Sequence, residues 1–451
     1  MTFTAWFIFF LVVQIIHFAG TWKLYQKAGR KAWEALIPIY NAVILMKIIH
    51  RPWWWVILLF IPIVNLIMFP VIWVETLRSF GRKSTADTWL AILTLGFYIY
   101  YINYVQDVKH IKDRNLKPAT TAGEWVSSIL FAVVAATIVH GYLMQPFTIP
   151  TSSLEKTLLV GDYLFVSKFH YGARIPQTPI AFPMVHDTIP VAGIKSYTNK
   201  PQIPYFRLPG FEEVKKNDIV VFNWPVDTVN AFQQYGDGKY YYKPIDKKSN
   251  YVKRCVATPG DSLEIIAGKI YINGEQLQLS ERAKAQYSYQ GTTNGQELTP
   301  QYMYQMYDIT DGFYYNKATN EFIISALPEE SEERLKNNPY IKTLERRISP
   351  EDQKTASLFP NDKKKRYNLD YFGPIYIPEE GKTVEITPES LPFYRRIIEV
   401  YEGSEMGIDN KISLNGTQVL LNGQALDSYT FKQNYYWMMG DNRHNSEDSR
   451  S

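Results

Sequence analysis

Residues 1–144 hold nearly all of the long apolar runs in this chain of 451 residues, while the rest is rich in Tyr, Pro, Asn and charged groups. That segregation limits the fold more than any other feature. The hydrocarbon core of a bilayer is about 30 Å thick and takes about 20 apolar residues of helix to cross. Four stretches meet or approach this length: residues 3–19, 53–74, 89–105 and 125–144. Trp53, Trp54 and Trp55 open the second, Trp89 the third and Trp125 the fourth, as an interfacial aromatic belt requires. The first stretch lacks a basic n-region and a small-residue cleavage site, so it reads as a span and not as a removable leader. Residues 33–46 are shorter, contain Pro38, and read as interfacial or re-entrant. Pro62, Asn65 and Pro70 lie within the second stretch, where neighbouring helices can satisfy a broken backbone.

Basic residues in the loops set the orientation. Lys23, Lys27, Arg30, Lys31, Lys47 and Arg51 follow the first span, and Lys109, Lys112, Arg114 and Lys117 precede the last. The intervening loop has only Arg78, Arg82 and Lys83. Four spans with the two basic loops inside put both chain ends on the outer face of a cytoplasmic membrane. The net charge of +4 and the lack of a long basic stripe argue against a nucleic-acid partner. The single Cys255 rules out an internal disulfide and a cysteine-rich metal site, and the seven His residues are scattered. No cofactor is expected.

After Asp162 the pattern changes to short strands. Asp218–Asn223 and Tyr251–Val256 are apolar runs ended by Trp224-Pro225 and by Pro259-Gly260-Asp261. Leu263–Ile266 and Lys269–Ile272 read as a hairpin, with Asn273-Gly274 as a further turn signal, and Gln418–Gly423 repeats the strand-and-turn pattern. Residues 172–210 are Pro-rich and extended, and the polar stretch after residue 328 suggests one short helix near Glu329–Lys336. The expected fold is a mainly β catalytic domain preceded by an α-helical membrane region. The expected division is a multi-span region over 1–124, a transmembrane helix over 125–144, a catalytic β core over 145–274 and 431–451, and an inserted second subdomain over 275–430.

Three polar clusters stand out: Thr151-Ser152-Ser153 beyond the last span, Lys253-Arg254 inside an apolar strand, and Gly440–Arg450. Alternation on a strand puts Lys253 and Arg254 on opposite faces, so at least one cation points into an apolar interior. A desolvated lysine is pushed toward its neutral form and can then take a proton from a serine hydroxyl. The same lysine also fits an edge strand from which the ammonium snorkels. A second pairing, Ser153 with Lys156, matches the Ser-x-x-Lys pattern of penicillin-interacting acyl enzymes, although the companion Ser-Asp-Asn and Lys-Thr-Gly elements are absent. A third reading is a catalytically silent membrane protein that binds exported polypeptides.

Four stretches occur in order: Ile149–Tyr163, Asn217–Phe222, Tyr251–Asp261 and Gly440–Arg450. Together they resemble the ordered motifs of bacterial type I signal peptidases. The resemblance implies a membrane-bound serine endopeptidase that removes signal peptides from exported precursors. Residue by residue, it makes Ser153 the nucleophile, Lys253 the general base, and Thr151 with the Ser153 amide the oxyanion hole. It makes Ser446 the serine that orients the lysine. Asp441, Arg254 and Arg450 become an ion-pair group holding the last motif to the catalytic strand, and Asp448 a supporting acid. The partners it implies are signal peptides and the lipid bilayer. Leu154 stands where Met is usual, Lys156 where Pro is usual and His444 where Asp is common. The resemblance also leads one to expect further strands beyond Ser451.

Overall fold

The computed structural model describes residues 2–118, 120–227, 241–362 and 364–451; residues 228–240, within the stretch expected to form the catalytic core, lie outside the described residues. The chain forms two compact units. One comprises Met1–Pro146, Phe165–Glu213 and Asn223–Asn250; the other comprises Phe147–Leu164, Val214–Phe222 and Tyr251–Ser451. This division differs from the one expected. Residues 145–274 are shared between the units, and residues 275–430 fall in the same unit as most of the strand that carries Lys253.

In the first unit, two helices among the described residues are long and apolar enough to cross a membrane, Phe3–Lys27 and Thr121–Leu143. The other two expected spans are broken. The stretch 53–74 divides into Trp55–Leu58 and Val64–Ser79, and 89–105 divides into Thr85–Leu93 and Tyr98–Tyr104. A 16-residue helix such as Val64–Ser79 reaches only about 24 Å. The first break has a local cause. The pentapeptide Ile-Pro-Ile-x-Asn occurs at Ile37–Asn41 and again at Ile61–Asn65, and each copy turns the chain through a left-handed isoleucine. Ile39 has φ 66° and Ile63 φ 70°, and each immediately precedes a helix, Tyr40–Ile48 or Val64–Ser79. A β-branched residue tolerates such a φ only where its surroundings enforce it. The second break falls at Leu95-Gly96, both left-handed, where a Cβ on Gly96 would collide with the Trp73 ring.

The helical core of this unit gathers Leu24, Tyr25, Ile44, Ile49, Leu77 and Ile102. Polar groups inside it are paired: Asn103 Oδ1 accepts the Leu24 N–H at 3.0 Å, and the Tyr25 hydroxyl donates to Asn41 O at 2.7 Å. Glu75, on the last long turn of Val64–Ser79, is buried among arginines. Arg114 Nη2 lies 2.6 Å and Arg51 Nη2 2.9 Å from Glu75 Oε2, and Arg78 approaches Oε1.

The second unit is built on short sheets. One four-stranded antiparallel sheet runs Ile341–Arg346, Gln286–Thr293, Glu321–Pro328, Phe313–Asn316. Another runs Phe372–Tyr376, Ser262–Ile266, Lys269–Ile272, Glu275–Gln276. The expected hairpin is present, with Leu263 opposite Ile272, and Asn273-Gly274 makes the next turn with both residues left-handed. Asn422-Gly423 repeats that turn between Gln418–Leu421 and Gln424–Ala425. The helix Glu329–Lys336 lies where the charge pattern puts it, with acids in its first turn and Arg334 and Lys336 in its last. Trp437–Met439, Asn250–Ala257 and Ile219–Asn223 form a three-stranded sheet in that order. Val256, Ala257, Trp437 and Met439 from this sheet join the core over Leu263, Ile265 and Phe372. A separate core around Tyr289, Met303, Phe322 and Leu335 stabilises the segment that holds Gln286–Thr293.

Glu75→Gln leaves Arg114, whose side chain is 8% exposed, without its carboxylate. Breaking a buried pair by removing one partner costs about 3–5 kcal/mol. Chemical denaturation of the purified chain in detergent should therefore show the first unit destabilised by that order, and an unchanged midpoint would remove the cluster from any structural role.

Candidate active site

The Thr151–Ser153 cluster lies on a loop closed at its neck. Ile149 N–H donates to Asp162 O, and Gly161 N–H donates back to Ile149 O, both at 2.9 Å. Inside the loop, Ser152–Leu154 make one 3-10 turn, which Glu155 N–H closes on Ser152 O at 3.0 Å. Leu154 is buried and anchors the turn, and Leu158 N–H returns to Leu154 O. Thr151 precedes the turn in extended conformation, and its side chain makes no capping bond. Its position is exposed, whereas Ser153 is buried.

Both cations of the strand Asn250–Ala257 are buried, and they do different things. Lys253 Nζ donates to Ser153 Oγ at 2.8 Å and to Val252 O at 3.1 Å. Desolvation lowers the Lys253 pKa from its ordinary value, and the Asp448 and Glu447 carboxylates act in the opposite sense. The Tyr251 ring lies 5.4 Å from Nζ, and the Tyr251 hydroxyl donates to Glu447 Oε2 at 3.0 Å. On the other face of the strand, Arg254 makes a two-pronged pair with Asp441, Nε to Oδ1 at 2.8 Å and Nη2 to Oδ2 at 2.7 Å. Its remaining Nη1 donates to Asn217 O at 2.7 Å. Burial opposes ionisation of Asp441, but Arg254 and the Thr157 hydroxyl outweigh it and hold the pKa below the usual carboxylate range.

The terminal motif is held by its own pairs. Asp448 receives Arg450 through Nε at 2.9 Å and Nη2 at 2.8 Å, and accepts the Gly440 N–H at 3.1 Å. The expected group of Asp441, Arg254 and Arg450 is thus two separate pairs, Arg254 with Asp441 and Arg450 with Asp448. Burial again opposes ionisation of Asp448, and Arg450 outweighs it to lower the pKa. Gly440 permits the approach of the motif to Ser153, since a Cβ there would strike Ser446 Oγ and Ser153 O. Ser446 Oγ is buried beside this glycine and makes no hydrogen bond to Lys253. It contributes instead to the environment of Asp448.

Lys156 is not brought to Ser153. The 3-10 turn ends at Leu154, Lys156 takes φ 71°, and its ammonium pairs with Asp308 Oδ1 at 2.8 Å. The Ser-x-x-Lys pairing requires a continuous helical turn, so this geometry does not support it. His444 accepts the Ser288 N–H at Nδ1 (3.3 Å), which leaves the proton on Nε2 to be donated to Asp370 Oδ1 at 3.0 Å. Ser152 is held by two amides: Asn442 Nδ2 reaches Ser152 O at 3.3 Å, and Asn445 Nδ2 reaches Ser152 Oγ at 3.1 Å. Spacing gave no signal for these partners, because they lie almost three hundred residues from the loop they hold. Among the described residues, no group of three or more His, Cys, Asp or Glu is arranged to hold a metal ion.

A buried serine hydroxyl in hydrogen-bond contact with a desolvated lysine can perform nucleophilic acyl transfer. Comparison with known proteins shows what parts of the chain are similar to. Residues 33–113 match a family of unknown function (DUF5684), and residues 122–321 match the family described as signal peptidase, peptidase S26. Signal peptidase I of Rickettsia canadensis (strain McKiel) is 30% identical over 162 residues, 36% of this chain and 47% of that protein. Signal peptidase I of Rickettsia typhi (strain ATCC VR-144 / Wilmington) is 27% identical over 167 residues, 37% of this chain and 49% of the relative. The chain thus spans about half the length of the curated relatives it matches. The peptidase match begins at the second long apolar helix and runs through both Ser153 and Lys253. By this match and these relatives, residues 122–321 are similar to signal peptidases of the peptidase S26 family.

Proposed function

We propose that the chain is a membrane-bound serine endopeptidase that removes N-terminal signal peptides from exported precursors by a Ser153/Lys253 dyad. The observation that carries this reading is the 2.8 Å contact between Lys253 Nζ and Ser153 Oγ in a buried setting. Neutral Lys253 takes the Ser153 proton as Ser153 Oγ attacks the scissile carbonyl. The Ser153 N–H and the Thr151 hydroxyl stabilise the oxyanion. Lys253 then gives its proton to the leaving amine, and the acyl-enzyme is hydrolysed by water activated by the same amine. A preorganised oxyanion donor is worth about 2.7–4 kcal/mol. The uncapped, exposed hydroxyl of Thr151 is consistent with that role.

The substrate class follows from the relatives named signal peptidase I. A lipid bilayer is the second partner, reached through the helices Phe3–Lys27 and Thr121–Leu143. Two spans give the same orientation as four. Lys23, Lys27, Arg30 and Lys31 still follow the first, and Lys109, Lys112, Arg114 and Lys117 still precede the second. The cytoplasmic membrane is then crossed with Ser153 on its outer side.

Ser153→Ala should reduce cleavage of a signal-bearing precursor by at least about three orders of magnitude. Lys253→Arg should do the same, because arginine keeps the charge and cannot act as a base. Normal processing by either variant would refute the dyad. The base must be neutral, so kcat/KM should rise with pH through an apparent pKa below the ordinary lysine value of about 10.4. Glu447 favours the ammonium, so Glu447→Gln should move this limb to lower pH. A rate profile with no such limb, or one displaced upward by Glu447→Gln, would exclude Lys253 as the base.

A further inference from the structure

Ser153 lies on a loop with two anchors that the four family motifs do not supply. Both come from a single turn within residues 275–430. The helix Pro300–Tyr307 ends at Asp308, which takes a left-handed φ of 57° and donates its N–H to Tyr304 O. The Asp308 side chain is 64% exposed, yet its carboxylate pairs with the Lys156 ammonium, whose side chain is only 9% exposed. Three residues further, Asp311 Oδ2 accepts Asn442 Nδ2 at 3.2 Å and Asn445 Nδ2 at 3.3 Å. The same two amide nitrogens donate to Ser152 O and Ser152 Oγ. The Asn442 N–H also donates to Ser153 O at 3.1 Å.

We propose that Asp308 and Asp311 are positioning residues for Ser153: one acidic turn of the inserted segment grips the nucleophile loop on both sides, through Lys156 after Ser153 and through Asn442 and Asn445 to Ser152 before it. This rests on the peptidase reading and extends it to the role of residues 275–430. Two arguments support it. An asparagine amide has two N–H donors and one acceptor. A carboxylate at Asp311 can only accept, so it turns the NH2 ends of both asparagines toward itself and thereby toward Ser152. Without that charge, either amide can rotate, and its donation to Ser152 O (Asn442) or Ser152 Oγ (Asn445) is lost. At the other end, the backbone after Ser153 follows a path closed to proline, the residue usual at this place in the family, because proline cannot adopt the φ of 71° seen at Lys156. The ion pair with Asp308 holds that path. Removal of the acid leaves a nearly buried ammonium without its partner three residues from the nucleophile.

The test uses the full chain in detergent, a signal-bearing precursor, and the variants Asp308→Asn, Asp308→Glu and Asp311→Asn. Glu297→Gln is the control, since it breaks only the exposed pair with Lys317 on the same segment. Displacements of about 1 Å at a reacting group can lower rates on the order of 100-fold. The expected result is a fall in kcat on the order of 10- to 100-fold for Asp308→Asn and Asp311→Asn, with KM changed by less than about twofold. Asp308→Glu should recover most of kcat, and Glu297→Gln should match the parent. Hydrogen–deuterium exchange over residues 151–157 should be faster in the two asparagine variants alone. Unchanged kcat in both asparagine variants would overturn the proposal, as would unchanged exchange over 151–157. The exchange measurement needs no turnover, so it decides whether the turn anchors the loop even if Ser153→Ala were to show that the peptidase reading itself is wrong.

Discussion

The structure around Ser153 depends on keeping a lysine amine out of water. In solvent an ammonium donates hydrogen bonds and cannot accept a proton, so a serine beside it stays unreactive. Burial of Lys253 on the strand Asn250–Ala257 penalises the charged form and lowers the pKa. The same burial requires the charged groups nearby to find partners within the protein. The two-pronged pair of Arg254 with Asp441, the neck of the nucleophile loop, and the pair of Arg450 with Asp448 meet that requirement.

The residues that touch one another along a strand or within a turn were legible in the sequence. Lys253 and Arg254 were recognisable as two cations in an apolar run, and strand alternation correctly separates them: one meets Ser153 and the other Asp441. The order of the motifs brought Ser153, Lys253 and the terminal stretch together. Partners joined only by long-range folding left no trace. Asp308, Asp311 and Asp370 lie in a polar segment where any acid looks like ordinary surface, and only the packed structure sets them against Lys156, Asn442, Asn445 and His444. Ser446, which the resemblance makes the serine that orients the lysine, has no hydrogen bond to Lys253. The tight approach at Gly440 keeps Ser446 Oγ beside that glycine and Asp448.

The membrane region illustrates a different limit. Hydropathy over a window counts apolar residues and is blind to the direction in which the backbone turns. Residues 53–74 are apolar enough for a span, but the helix is broken at Pro62-Ile63, where Ile63 takes a positive φ. The signal was present as a repeat of five residues, Ile37–Asn41 and Ile61–Asn65, not as a change of composition. Two continuous helices remain, and between them lie short helices tied by internal hydrogen bonds such as Asn103 to Leu24.

The proposed function needs a neutral amine at Lys253, and the charges nearby bear on that need. Asp448 and Glu447 both favour its ammonium form. An unpaired carboxylate buried close to the amine would raise its pKa and remove the base. Asp448 is fully buried, yet it is matched by Arg450, whose guanidinium contributes an opposing field at short range. Asp441 is matched likewise by Arg254. Desolvation of Lys253 outweighs the attraction of Asp448 and Glu447, and its pKa is lowered. Glu447, the carboxylate left exposed, is screened by water and engaged by the Tyr251 hydroxyl. Arg254 and Arg450 thus pair the two buried acids of the terminal motif, Asp441 and Asp448, without touching Ser153 or Lys253.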